Sequence, residues 1–383
     1  MPQKDPYGFC NKIIKSGSDD IDLISAGIDG CNNTLAANGM LYDLLNVPRL
    51  DFKKPWWDSK TTEGLSIAHR LYSAVGDMTV MDKDATWVIM FNKDMVKNYS
   101  LDDPYALVKN GKWTLDAMYN MMKSAAKDLN GDGKMTPDDQ FGLVTQNKNT
   151  IDFYNGADEY VCKKDENDMP YIIKVSERGI SVLTKAWEIQ TDKTVTITAE
   201  DWMSQYPNDT VWDKMQLIVF GEGRAMFYYA GNNRVTLLRA MDVNFGIIPP
   251  PKFDEAQPNY HVSVDFWCAS AIAIPTAASD IERTAIILEA LTAESHYTVL
   301  PAYYDISLKS KLTRDEESGD MLDLIFANRA YDISKMYNWG GICDVVTGLA
   351  ASKNIDIVSQ FEKKYTAAEK AMEKSLEKLL SFE

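Results

Sequence analysis

The chain has 383 residues, of which 45% are hydrophobic, and its formal net charge at pH 7 is −16. This length and apolar content exceed what one ordinary domain needs, so we expect two lobes. The acidic balance argues against nucleic acid as a partner, because an acidic surface repels phosphate backbones. The five cysteines are scattered and form no CxxC pair, so they indicate neither a disulfide scaffold nor a zinc site.

Targeting and membrane signals are missing from the sequence. No run of about 18 or more apolar residues occurs, so no membrane-spanning helix is predicted. Residues 1–5 are not followed by the apolar stretch that a secretory signal needs. Two alternatives follow: a cytosolic protein, or a protein whose targeting segment is absent from this chain.

The predicted elements alternate between strands and helices, which indicates an α/β fold. Residues 21–27 predict a short buried strand, and residues 36–45 predict a short helix. The apolar run at 87–92 predicts a strand covered on both faces. A helix is predicted after Trp113, with Thr114 as its N-cap.

The second half of the chain continues the alternation. Further elements are predicted as a helix at 177–191, strands at 224–229, 243–248 and 268–274, and a long charged helix at 355–380. A turn at 231–233 leads from one of these strands into a short helix. Ser279 is predicted to cap another helix, with Glu282 completing a capping box.

The loop 128–139 has the spacing of a calcium-binding loop. Its candidate ligands are Asp128, Asn130, Asp132, the carbonyl of Lys134, Thr136 and Asp139. This spacing wraps oxygens around one point, and Gly133 allows the sharp turn that such loops need. Strand-like sequence follows the loop, so it is not a paired sensor motif. The alternatives are a structural Ca²⁺ site and a metal-free turn rich in Asp and Asn.

No catalytic motif stands out. His69, His261 and His296 are not at metal-ligand spacing, and neither a nucleophile elbow nor a phosphate-binding glycine loop is found. The 56 acidic residues make chance carboxylate pairs certain, so a carbohydrate-active enzyme with paired carboxylates stays an alternative. A calcium-stabilised cell-surface interaction protein is a third hypothesis. We expect no enzyme and no catalytic cofactor.

Several stretches, in this order, carry a family resemblance: TWVIMFNKD at 86–94, GKWTLD at 111–116, GRAMF at 223–227, DVNFGIIPPP at 242–251 and AIAIP at 271–275. The chain resembles the extracellular solute-binding protein family 1, whose members are similar to maltose-binding protein. The resemblance spans nearly the whole chain, and the order and spacing of the stretches are more specific than any one of them.

This resemblance implies an α/β fold with two lobes, the type II periplasmic-binding-protein fold. It places residues 1–91 and 264–297 in a first lobe, and residues 92–263 and 298–383 in a second. Only about twenty residues precede the strand at 21–27, where the family has a strand–helix–strand unit, so the first lobe is expected to be incomplete. The implied partner is an ABC permease. The implied location is the cell surface, through a lipid anchor that this chain lacks.

The implied ligand is a small polar solute, a sugar or oligosaccharide held between the lobes. Sugar clefts combine aromatic platforms with Asp, Asn and Arg groups that bind hydroxyls. The candidate ligand-binding residues are Trp56, Trp57, Asp77, Tyr229, Asn232, Asn233, Asp265, Trp267 and Trp339.

Overall fold

The structure is a computed structural model that describes residues 6–303, 316–352 and 355–382. Its strands are β1 Ile24–Gly27, β2 Trp87–Asn92, β3 Phe141–Thr145, β4 Cys162–Lys164, β5 Pro170–Ile172, β6 Thr196–Thr198, β7 Ala225–Gly231, β8 Phe245–Ile248, β9 Val262–Ser263, β10 Ser270–Ala273 and β11 Arg329–Ala330. Within the described residues, no helix is long and apolar enough to cross a membrane.

Helices surround these strands. They are α1 Pro6–Lys15, α2 Ser59–Leu65, α3 Met81–Asp84, α4 Lys93–Asn98, α5 Pro104–Lys109, α6 Leu115–Ala125, α7 Asn149–Gly156, α8 Glu177–Thr191, α9 Leu217–Gly221, α10 Asn233–Leu238, α11 Ile281–Tyr297, α12 Val299–Pro301, α13 Glu316–Ala327, α14 Ser334–Tyr337, α15 Cys343–Thr347 and α16 Ile357–Leu380. Short 3-10 or π turns lie at Gly30–Leu35, Ala36–Asn38, Leu44–Asn46, Ala199–Asp201, Trp212–Gln216, Trp339–Gly341 and Leu349–Ala351.

The first core surrounds a five-stranded mixed sheet with the order β6-β3-β7-β2-β8. β3 runs parallel to β6 and β7, whereas β2 lies antiparallel between β7 and β8. All of β2 is buried, as predicted for an apolar run covered on both faces. α6 packs closely on this sheet because Gly142 has no side chain; a Cβ there would collide with Met122.

The second core forms around the antiparallel pair β1 and β10, in which Ile24 lies opposite Ala273. Single bridges join Ala74 to Ile272 and Leu41 to Pro275, so irregular segments extend the pair. The strand predicted at 21–27 is confirmed in its second half. The incompleteness expected of this region stays a prediction.

A third core lies between α7, α8, α15 and the first half of α16. Phe361 and Tyr365 of α16 belong to this third core, whereas Leu376 and Leu379 of the same helix belong to the second. α16 therefore ties the two cores together. The long charged helix that the sequence predicts here is confirmed.

The chain passes between the first and second cores at adjacent segments. Residues 85–87, 262–264 and 325–333 each begin in one core and end in the other. Thr86 bridges Val264, and β9 pairs in parallel with β11, so the crossings support one another. The predicted lobe boundaries stay a prediction. β2, which contains the boundary drawn between 91 and 92, lies wholly in the five-stranded sheet.

Two local predictions are wrong. The helix predicted at 36–45 is a 3-10 turn that stops at Gly39, whose φ of 69° belongs to the left-handed region that ends helices. The cap predicted at Ser279 is Asp280, whose side chain accepts the Arg283 N–H at 2.9 Å. By contrast, Thr114 caps α6 as predicted and accepts the Ala117 N–H at 3.2 Å.

Candidate functional site

A cavity of about 300 Å³ opens at the edge of the five-stranded sheet where β3 and β7 end. Because β3 and β7 are parallel, the loops that follow them meet at this edge, where α/β folds commonly bind ligands. Asp265, Trp267 and Cys268, between β9 and β10, form another part of the wall. The lining residues are Asp84, Ala85, Trp87, Gln146, Lys148, Trp212, Gln216, Tyr228, Tyr229, Ala230, Gly231, Asn233, Arg234, Asp265, Trp267 and Cys268.

The aromatic residues of the cavity differ in what they offer to a ligand. Trp267 is 64% exposed, so a large part of its side chain is open to solvent. Trp87 and Tyr229 are buried, and their rings meet edge to face with centroids 5.8 Å apart. When a ligand covers a flat apolar face that is exposed to water in the free protein, the burial of that face favours binding. Trp267 is therefore the natural stacking surface, and the other two rings form the floor.

An ion pair crosses the cavity between the two cores. The Lys148 ammonium lies 3.0 Å from Asp265 Oδ2 and 5.4 Å from the centroid of the Trp87 ring. Asp265 Oδ1 accepts the backbone N–H of Trp267 at 3.0 Å. Lys148 immediately precedes α7, whereas Asp265 lies between two residues of the second core. The pair therefore connects segments that belong to different halves of the structure.

Both members of this pair are held in their charged forms. Burial works to raise the pKa of Asp265, but the Lys148 ammonium outweighs it, so the pKa lies below its ordinary value. Burial likewise works to lower the pKa of Lys148, and the Asp265 carboxylate raises it above the ordinary value. The cavity wall therefore presents an ammonium and a carboxylate side by side at neutral pH.

Asp84 is a second carboxylate of the wall, with a different environment. Its Oδ1 accepts the hydroxyl of Tyr303 at 2.7 Å. Burial raises the pKa of Asp84, and the nearby charge of Asp82 acts in the same direction. Asp84 thus provides an acceptor that is already partly satisfied by the protein.

The cavity continues into a smaller recess of about 160 Å³. The two share Trp87, Lys148 and Asp265, and the recess adds Asp152 and Lys335. The Lys335 ammonium lies 2.9 Å from Asp152 Oδ1 and 3.1 Å from the carbonyl of Val264. This second ion pair also links α7 to the second core, but it is more deeply buried than the first.

The structure brings four of the predicted ligand-binding residues together in this cavity: Tyr229, Asn233, Asp265 and Trp267. Asn232 directly precedes Asn233, but its side chain is buried, and its amide donates to the hydroxyl of Tyr303 at 3.4 Å. That these residues contact a ligand stays a prediction.

The structure places the other four predicted residues away from this cavity. The indole N–H groups of Trp56 and Trp57 donate to the two oxygens of Glu289, at 2.9 and 3.0 Å. Asp77 Oδ2 lies 2.6 Å from His296 Nδ1. Trp339 is buried in the second core, stacked on a neighbouring tyrosine. Each of these side chains has a packing or pairing role in the second core.

Sequence reasoning missed several residues of the wall, among them Trp87, Lys148, Trp212 and Arg234. Lys148 lies three residues after β3, and Arg234 lies three residues after β7; a residue that follows a parallel strand is a recognisable signal for a site. Trp212 has no comparable signal, because only the fold brings it to the same edge as Trp87.

The loop 128–139 uses its carboxylates to bind its own backbone. Asp128 accepts the N–H groups of Gly131 and Gly133 at 2.7 and 2.8 Å. Asp139 accepts the N–H groups of Leu129 and Thr136 at 2.9 and 2.8 Å. Across the described ranges, no group of three or more His, Cys, Asp or Glu side chains is placed to hold a metal ion. The arrangement matches the metal-free turn, and calcium in this loop stays a prediction.

Comparison with known proteins supports the fold and leaves the sequence family open. No protein-family model matches the chain, and no curated protein matches it. Similar solved structures include a sugar transporter from Rhizobium etli in an open conformation, with 14% identity over 100% of this chain and 90% of that chain, and a TM-score of 0.61. The apo-form of RafE from Streptococcus pneumoniae shows 15% identity over 95% of this chain and 88% of that chain, with a TM-score of 0.60.

A third similar structure is the GacH receptor of Streptomyces glaucescens, with 11% identity over 100% of this chain and 90% of that chain, and a TM-score of 0.56. The chain has the two-lobe periplasmic-binding-protein fold. This confirms the predicted α/β class and architecture. In this fold the crossing segments at 85–87, 262–264 and 325–333 join the lobes, and the cavity with Trp267 and Asp265 lies beside them.

Proposed function

We propose that this chain is an extracytoplasmic solute-binding protein that captures a sugar or oligosaccharide in the cavity beside the crossing segments, without chemically changing it. The observation that carries the proposal is the cavity wall itself. It combines an exposed indole, Trp267, with the ion pair of Lys148 and Asp265. An apolar face for a sugar ring next to fixed donors and acceptors for hydroxyls is what saccharide recognition requires.

The similar structures support the saccharide class. RafE has been solved in complex with raffinose, GacH in complex with acarbose, and a further cyclo/maltodextrin-binding protein in complex with maltotetraose. The cavity of about 300 Å³ lies at the lower end of the usual range for small-molecule sites. The recess that continues from it provides room for a second ring.

We further propose that the ligand closes the two lobes around itself. A ligand that contacts Trp267 and Asp265 on one side and Lys148 on the other favours the state in which both sides are near. The lobes of this proposal meet at the crossing segments 85–87, 262–264 and 325–333, so they keep the predicted boundary near 263 and 264, move the first one before β2 and move the last one from 297 to the third crossing. The partner is an ABC permease at the membrane, and the location is the cell surface.

A thermal-shift screen against neutral mono- to tetrasaccharides tests the proposal. We expect one sugar class to raise the unfolding midpoint, because a ligand at a hundred times its Kd stabilises the folded state by about 2.7 kcal/mol. Titration calorimetry of the best sugar should show saturable binding at one site. A screen in which no saccharide stabilises the chain would contradict the proposed function.

Recovery of the bound sugar distinguishes binding from catalysis. After prolonged incubation with the chain, mass spectrometry should return the sugar intact. Release of a shorter saccharide would instead support the paired-carboxylate enzyme.

A further inference from the structure

Charge pairing is a consistent feature of the cavity and its recess. Lys148 is paired with Asp265 at 3.0 Å, Arg234 with Asp213, and Lys335 with Asp152 at 2.9 Å. Among the described residues that line the cavity and the recess, these are the lysines and arginines, and each has a carboxylate partner. The wall therefore offers strong hydrogen-bonding groups with little unbalanced positive charge.

The two ion pairs that link α7 to the second core differ in accessibility. The side chains of Lys335 and Asp152 are only 12% and 2% exposed, so this pair is largely shielded from solvent although it lines the recess. The side chains of Lys148 and Asp265 are 49% and 16% exposed, and they face the cavity. A ligand can therefore reach the Lys148–Asp265 pair while the deeper pair maintains the link.

The exposed pair has hydrogen-bonding capacity left over. An ammonium has three donors, and within the part of the chain that the structure describes, Lys148 donates to Asp265. A carboxylate accepts about four hydrogen bonds, and Asp265 receives those from Lys148 and from the Trp267 N–H. A donor and an acceptor side by side match a vicinal diol, in which one hydroxyl accepts and its neighbour donates.

An acidic ligand would be repelled by the carboxylates of the same wall. Its carboxylate can bind Lys148 only next to the Asp265 carboxylate that is already paired with it, in a wall that also contains the carboxyl group of Asp84. Repulsion between like charges opposes such binding, and its cost grows where water is excluded. The pair thus favours a neutral polyol and opposes an anion.

We propose that the Lys148–Asp265 ion pair determines ligand specificity, selecting uncharged, hydroxyl-rich saccharides over uronates by binding vicinal hydroxyls across the two lobes. This inference rests on the proposed sugar-binding function. The ion pair determines whether neutral or acidic sugars bind more tightly, whereas Trp267 stacks equally on both kinds of ring.

Two single variants, each of which removes one charge of the pair, should shift the preference between neutral and acidic ligands in opposite directions. The probes are two pairs, galactobiose with digalacturonate and glucose with glucuronate. The members of each pair have the same ring configuration, and the acidic member carries a carboxylate where the neutral member has the C6 hydroxyl. We expect the wild type to bind the neutral member about tenfold more tightly or better. Asp265→Asn leaves Lys148 unpaired and should shift the ratio toward the acidic probe by about tenfold, whereas Lys148→Gln should shift it further toward the neutral probe.

Asn at position 265 keeps the oxygen that accepts the Trp267 N–H, so the local turn is retained. The double variant Lys148→Gln/Asp265→Asn restores charge balance and should return the ratio toward the wild-type value, with weaker binding overall. Lys109→Gln is the matched control, because it removes an equally simple pair, Lys109–Glu317 at 3.2 Å, outside the cavity. It should leave the ratio unchanged.

The outcomes separate the inference from the function on which it rests. A wild type that binds the neutral probes, with single variants that shift the ratio in the same direction or leave it unchanged, overturns the role of the pair alone. A wild type that prefers the uronates also overturns it while sugar binding stands. Failure of both neutral probes to bind the wild type overturns the inference as stated, and the proposed function falls with it when no neutral saccharide of the thermal-shift screen binds either.

Discussion

Trp267 departs from the usual distribution of tryptophan, which is mostly buried in folded proteins. Its side chain is 64% exposed, and its backbone N–H is fixed by Asp265 at 3.0 Å. An indole that is exposed but anchored is positioned for a partner rather than for the core. Trp57 and Trp339 are the contrasting cases, because both are buried in the second core.

Replacement of Trp267 by Ala should separate binding from stability. The free energy of unfolding should change by less than about 0.5 kcal/mol, because an exposed side chain is removed. Sugar affinity should fall about tenfold, because the stacking face is lost. Calorimetry and urea unfolding measure the two quantities. Tyr297→Ala is the control: this tyrosine is 68% exposed outside the cavity, and its removal should leave affinity unchanged.

The sequence indicated only part of the site, for reasons that the residues explain. Asp265 and Trp267 were found because an acid and an indole beside a predicted crossing strand match a known type of sugar site. Lys148 and Arg234 each follow a strand, but nothing else separates them from the other lysines and arginines, 40 in all, until the strands are known to be neighbours. They come from separate segments that only the pairing of β3 with β7 brings together. Trp56 follows three exposed residues in the chain, but its indole N–H donates to Glu289, which lies 233 residues further along the sequence.

At the level of elements, β11 carries a buried cation into the junction between the cores. The guanidinium of Arg329 donates to Asp82 through one nitrogen and to Asp58 through another. Asp82 also contacts Lys83, which in turn reaches Asp77 at 3.4 Å. This network joins α2, α3 and β11 at a crossing segment.

Arg329→Met should therefore destabilise the chain strongly. Removal of the guanidinium leaves the buried Asp82 with Lys83 alone and the half-buried Asp58 without its cation, and loss of one member of a buried ion pair costs about 3–5 kcal/mol. Urea unfolding measures this loss. Arg49→Met is the matched control, because Arg49 pairs with Glu282 at 2.7 Å in an exposed position where ion pairs contribute about 0–1 kcal/mol. Equal losses in the two variants would contradict the role given to Arg329.

The same network predicts how stability depends on pH. Burial works to raise the pKa of Asp82, but Lys83 and Arg329 outweigh it, so the folded-state pKa lies below the unfolded value of about 3.9. Asp82 therefore stabilises the fold above about pH 4, and this contribution is lost as pH falls through the lower folded-state pKa.

In Arg329→Met, Asp82 loses a partner and its folded-state pKa should rise above that of the wild type. The difference in unfolding free energy between wild type and variant should then shrink as pH is lowered from about 7 to about 3, because the carboxyl group of the variant is protonated first. Urea titrations at several pH values measure this difference. A difference that stays constant across that range would show that the Asp82 charge is not responsible.

Elements with a strong local signal were predicted well. β2 is an uninterrupted apolar run, and α6 has both its N-cap and its apolar spacing in the sequence. The segment at 36–45 failed because its helical spacing is interrupted at Gly39, where a left-handed conformation is required. Nothing local reveals that Phe382, from the other end of the chain, packs against this glycine.

The loop 128–139 gives a prediction about calcium. Its side-chain oxygens already accept backbone N–H groups of the loop, so removal of calcium should leave the unfolding midpoint unchanged. Differential scanning calorimetry with and without a chelator checks this. A lowered midpoint that calcium restores, and that Asp128→Asn abolishes, would support a structural Ca²⁺ instead.

On the scale of the whole molecule, the two-lobe fold allows the free energy of ligand binding to move one lobe towards the other. The first and second cores are joined by paired crossing segments, so one lobe can turn against the other without losing its own core. The cavity lies beside these crossings, and its lining includes Lys148 from the segment before α7 and Trp267 from the segment between β9 and β10. Ligand binding there should therefore reduce the radius of gyration measured by small-angle scattering, whereas the Trp267→Ala variant at the same sugar concentration should close less.

A crystal structure with the neutral sugar that gives the largest thermal shift tests the central claim most directly. We predict that a sugar ring stacks on Trp267 and that its vicinal hydroxyls lie within hydrogen-bonding distance of Lys148 and Asp265. Sugar density at another place on the chain, with the cavity filled only by solvent, would contradict this account.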